Sequence, residues 1–130
     1  MENGEELLEL IEKDERYKNA YIKAYNEIVE SMPGRQQWLK DRVIPRLGDV
    51  IFMGVNKWNK AVYHVLKNPK LDDTKFRSYN VVTFGPGYWC QCYFGKFGDK
   101  RRMELCSHAG AVMLYRLIEK QLKALTVATP

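Results

Sequence analysis

The chain has 130 residues, 45% of them hydrophobic and 28% charged, and a formal net charge of +5. This is the balance of one ordinary globular domain, and no apolar run reaches the roughly 20 residues that a helical membrane span needs. The opening segment MENGEELLELIEKDER is acidic, unlike a secretory signal or a transit peptide.

Residues 4 to about 31 read as helix, with Leu7, Leu10, Ile11, Tyr17, Tyr21, Ala24, Tyr25, Ile28 and Val29 spaced by threes and fours. Asp14 interrupts the stripe inside the charged patch Lys13–Arg16, a place where the helix can break, and Pro33-Gly34 closes the segment. A second, short helix is expected from Arg35 to about Val43, stopping near Pro45 because the residue before a proline avoids helical angles. The texture then changes to strands. Val50–Met53, a run at about 60–67 around Ala61–Leu66, and one at about 76–84 ending at Gly85-Pro86-Gly87 are β-branched and aromatic segments bounded by turn residues. Asn68–Asp73 would connect the last two. Helical spacing returns from Ser107 to about Leu125, where Ala111, Leu114, Tyr115, Ile118, Leu122 and Leu125 share a face.

The stretch that carries chemistry is Tyr88-Trp89-Cys90-Gln91-Cys92, then a basic loop, then Cys106-Ser107-His108. In spacing this is C-x-C, thirteen residues, C-x-H, and it uses all three cysteines and one of the two histidines. Thiolate and imidazole ligands in a set of four suit tetrahedral zinc, and ligands paired closely in sequence need little chain entropy to meet around one ion. A Cys90–Cys92 disulfide would be strained, and a catalytic cysteine needs one reactive thiol rather than three. Four filled positions make the Zn2+ structural. No carboxylate stands close to the ligands in sequence except Glu104. His64, in a strand, reads as a structural histidine. Tyr88 and Trp89 read as apolar cover for the thiolates.

This pattern resembles the SWIM-type zinc fingers: two β-strands, a C-x-C knuckle, a variable loop and C-x-H at the start of a helix. Ala111 extends it to C-x-H-x-x-A, similar to the form in the recombination-accessory subunit of the Shu complex and its archaeal relatives. The resemblance implies an α+β fold, with N-terminal helices followed by a small antiparallel β-hairpin or sheet, a zinc knuckle and a C-terminal helix. On this reading residues 1–57 are a helical arm plus a connecting strand, 58–125 the zinc-binding domain, and 126–130 a frayed tail. A small side chain at Ala111 would let the helix press close to the knuckle.

Charge is unevenly spread. Residues 1–32 hold nine acids and four bases, and residues 33–130 seven acids and seventeen bases, balances of −5 and +10. Between the ligand pairs, Lys96, Lys100, Arg101 and Arg102 surround Phe97, a texture that fits phosphates and an unpaired base. It equally fits a charged hairpin tip kept soluble, with Phe97 folded under it. The expected function is therefore a non-enzymatic structural-zinc module that binds DNA, accessory to recombination or repair, in an intracellular setting (cytoplasmic or nuclear/nucleoid) where thiols stay reduced. The alternative is a protein–protein adaptor using the finger as scaffold. Its partner would take the stripe of the N-terminal helix, unless that stripe packs on its own domain. No acid–base pair or open metal position marks an enzyme.

Overall fold

A computed structural model describes residues 3–72, 76–85, 87–94 and 105–128. The N-terminal helix breaks at Asp14 into α1 (Gly4–Lys13) and α2 (Glu15–Ser31). Asp14 is extended at φ −119°; its N–H donates to the Leu10 carbonyl at 2.8 Å, and its side chain accepts from the Arg16 N–H at 2.9 Å. One aspartate thus ends the first helix and caps the second, because its carboxylate can satisfy an amide that helix geometry leaves unpaired. Asn3 caps α1 in the same way, accepting from the Glu6 N–H at 2.9 Å, and bridges to Ile51.

The segment after Pro33-Gly34 departs from expectation. One α-helical turn, α3 (Gln36–Trp38), widens into a π-helical stretch Leu39–Val43, and a 3-10 stretch Ile44–Asp49 then runs through Pro45. Proline is tolerated because it occupies the first turn of this last piece, where its missing N–H has no helical acceptor to serve. Leu39, Val43, Arg46 and Leu47, at the i, i+4, i+7 and i+8 spacing of one helical face, all turn inward. Gly4 presses against this piece, since a methyl at its Cα would overlap the Leu47 carbonyl.

Among the described residues, β1 (Val50–Val55), β2 (Ala61–Leu66), β3 (Ser78–Phe84) and β4 (Gly87–Cys90) form one antiparallel sheet in that order. The fourth strand was not anticipated. Gly85, at φ 55°, lets the chain reverse between Phe84 and Gly87, so Val81 pairs with Cys90 and Val82 with Trp89. The last helix, α4 (Ser107–Ala128), continues three residues beyond Leu125.

The core explains why α4 is apolar on more than one side. Ala109, Ala111, Val112, Leu114, Tyr115 and Ile118 are all buried, because α4 packs on α2 and also on one face of the sheet. From α2 come Ala20, Ala24 and Ile28; from the sheet come Val50, Tyr63, Val65, Tyr79 and Val81. Tyr63 meets Tyr115 edge-on with ring centroids 6.0 Å apart. The apolar stripe of the N-terminal helix is therefore spent on the same core as the knuckle. No helix among the described residues is long and apolar enough to cross a membrane.

Because the Gly4–Leu47 approach involves backbone, a side chain there has no soft neighbour to displace. Gly4→Ala should lower stability by about 1–3 kcal/mol, read as a reduced denaturant midpoint with an unchanged slope.

Candidate metal centre

Three separate devices bring the sulfurs and the imidazole together. Pairing of β4 on β3 sets Cys90 at the inner edge of the sheet, fully buried. A 3-10 turn, Gln91–Phe94, then curls Cys92 back toward it. Cys106 stands just before α4 and acts as its cap, with Sγ accepting from the Ala109 N–H at 3.4 Å and its carbonyl from the Gly110 N–H at 2.8 Å. His108 follows in the first turn. The four ligand atoms lie within 4.8 Å of one another, and all four residues are buried. Among the described residues this is the one group of its kind, and His64 is no part of it.

The imidazole is held by a network absent from the sequence reading. Its Nε2 lies 3.1 Å from Asp72 Oδ1. The same carboxylate takes a two-pronged contact from Arg46, at 2.7 and 3.0 Å, and an N–H from Asn68 at 2.9 Å. Arg46 Nε donates to Ser107 Oγ at 3.0 Å, tying the network to the first residue of α4. Side-chain exposures of 1% for Arg46 and 5% for Asp72 place this ion pair in the interior. Burial by itself would raise the Asp72 carboxyl, but hydrogen bonds from Arg46 and Asn68 outweigh it and hold the group below the usual carboxylate range. Tyr79 stacks on the imidazole, centroids 3.9 Å apart.

With Nε2 engaged by Asp72, the other ring nitrogen, Nδ1, is buried without a hydrogen-bond partner. Such an orphan costs about 1–3 kcal/mol unless something binds it. A metal ion among the sulfurs supplies that partner, and a carboxylate on the far nitrogen is the usual support of a metal-bound histidine. The thiols point the same way. The hydrogen bond between Cys90 and Cys106, reinforced by Cys92, raises the Cys90 thiol and lowers that of Cys106. Three sulfurs this close cannot all carry charge without a cation between them. The residues present thus fit a four-coordinate ion of the S3N type, with edges of about 3.3–3.8 Å for bonds of roughly 2.0–2.3 Å.

The site therefore unites Cys90, Cys92, Cys106 and His108, the four residues singled out from spacing. Ala111 is fully buried one turn beyond His108, and Trp89 is half-buried on β4 against the core. Gly110 makes the close approach on the other side of the helix, where a methyl would come within 2.9–3.0 Å of Trp38 and Val43. Lys96, Phe97, Lys100, Arg101 and Arg102 lie outside the described residues. Glu104, the nearest acid in sequence, lies outside the described residues, and the carboxylate that meets His108 is Asp72, thirty-six positions away. No spacing rule connects those two, and a buried Arg46 has no sequence signature at all. The one available signal was general, that a ligating histidine wants an acceptor on its second nitrogen.

Removing the Asp72 charge while keeping its shape isolates this support. Asp72→Asn should weaken binding of cobalt(II), followed by its thiolate charge-transfer absorption, by about 10- to 100-fold, whereas Cys90→Ser should abolish the three-sulfur spectrum. An Asp72→Asn protein with unchanged affinity would show that the hydrogen bond plays no part in holding the ion. In comparisons with protein-family models, curated proteins and solved structures, nothing matches this chain.

Proposed function

We propose that this protein is a non-enzymatic module organised by one structural zinc ion, and that it binds nucleic acid as an accessory to DNA recombination or repair. The observation that carries the first part is the buried set Cys90, Cys92, Cys106 and His108, whose single unpartnered nitrogen faces inward. Three soft sulfurs and one imidazole favour zinc over the harder cations, and four protein ligands leave no position for a reacting water. Asp72 is the acid nearest the site, and it is occupied by Arg46, Asn68 and His108. It has no free lone pair with which to act as a general base.

Support for nucleic acid comes from charge. With zinc and three thiolates contributing about −1, residues 33–130 retain roughly +9. The recombination role is drawn from the C-x-C…C-x-H-x-x-A resemblance. An adaptor offering the stripe of α2 has less in its favour, because Ala20, Ala24 and Ile28 are already packed in the core.

Two measurements test the reading. Elemental analysis should return one zinc per chain, and a strong chelator should unfold the protein cooperatively, as expected when binding free energy is folding free energy. Affinity for DNA should fall steeply between low and moderate salt, with Lys100→Ala and Arg101→Ala lowering both affinity and slope. Zinc-loaded protein that binds neither single- nor double-stranded DNA at low salt would end the nucleic-acid reading; protein purified without metal yet stably folded would end the zinc one.

A further inference from the structure

The face of the sheet turned away from α4 has its own chemistry. Along β2 and β3 the side chains alternate: Tyr63, Val65, Tyr79, Val81 and Thr83 are buried toward α4, whereas Leu66, Asn80 and Phe84 are exposed on the other side. The register Val62↔Val82 and Val82↔Trp89 puts an apolar row across this outer face. Continued two residues further, it sets Lys60 beside Phe84, which is 52% exposed. At the same end the β1–β2 turn presents Trp58, 68% exposed.

The turn itself has no use for a tryptophan. Its shape comes from Asn56, whose side chain accepts the N–H groups of Trp58 and Lys60 at 3.0 Å each, and from Asn59 at φ 62°. Trp58 belongs to no part of the core, and its ring carries the Lys57 ammonium 4.5 Å from its centroid. A large aromatic held in the open by a well-bonded turn is informative in a way that a scattered exposed leucine is not.

Charge selects the occupant. The described residues of 50–94 include Lys57, Lys60, Lys67, Lys70 and Arg77, and one acid, Asp72, which is buried against Arg46. Among its described residues the sheet layer thus shows cations and rings to solvent with no exposed carboxylate among them, while the acids of the N-terminal segment sit on α1 and α2. Cations meet phosphates, and open rings stack on bases that are not already paired and stacked. We propose that this end of the outer sheet face, built on Trp58 and Phe84 with Lys57 and Lys60, is a contact surface for single-stranded nucleic acid. The proposal rests on the nucleic-acid reading above and names a surface distinct from the loop between the ligand pairs.

The test is an anisotropy titration of the zinc-loaded full chain with a labelled oligothymidylate and with a duplex of equal length. Trp58→Ala should weaken single-strand binding by about 5- to 150-fold, the equivalent of one lost base stack, and Trp58→Tyr should restore most of it. Phe84→Ala should act in the same direction. Lys57→Ala and Lys60→Ala should each reduce the salt slope by about 0.7. Both aromatic positions are exposed, so thermal unfolding and zinc content should stay as in the parent. If Trp58→Ala and Phe84→Ala bind the oligothymidylate as tightly as the parent while Lys100→Ala and Arg101→Ala do not, the nucleic-acid reading stands and this surface is refuted. A parent chain that binds neither oligonucleotide overturns both.

Discussion

Three sulfurs and an imidazole within 4.8 Å, all buried, form an arrangement that a folded chain cannot hold at rest on its own. Hydrogen bonds among the sulfurs raise the Cys90 thiol and lower that of Cys106, and Nδ1 of His108 is buried without a hydrogen-bond partner. A divalent cation bound there would remove both penalties together and join the end of β4 to the start of α4.

The Arg46–Asp72 pair extends that constraint outward. A buried ion pair contributes little to stability unless its hydrogen bonds are complete, because desolvating two charges is costly. Here the carboxylate is saturated by Arg46, Asn68 and His108, and the guanidinium also reaches Ser107. Three stretches of chain converge on it: the 3-10 piece that contains Pro45, the β2–β3 connection, and the start of α4 through Ser107 and His108. Arg46 reaches it from the inward face of residues 39–49, which it shares with Leu39, Val43 and Leu47.

The remainder of the fold divides into two chemical poles. The acidic helix α1 packs on α2, whose three acids and three bases balance, and α2 covers one side of α4 while the basic, ring-bearing sheet covers the other. This separation places the exposed cations away from the carboxylates that would neutralise them, which is the electrostatic condition for holding a polyanion.

Sequence by itself singled out Cys90, Cys92, Cys106 and His108 as one group and the mixed α+β character of the chain. Thiolate and imidazole chemistry leaves few ways to use three cysteines and a neighbouring histidine, and periodicity follows directly from helix and strand geometry. The α2 stripe, the β2 and β3 strands and the α4 face at Ala111, Leu114, Tyr115 and Ile118 were legible for that reason. Only the tertiary structure decided the rest. Asp72 meets His108, β4 pairs back on β3, and Pro45 is carried inside a helical piece because long-range packing sets which distant groups share a site, and local propensity yields to it. The same holds for Trp58: the sequence shows an aromatic beside two lysines, but only the register of the sheet places it at one end of a face with Phe84 and without an acid.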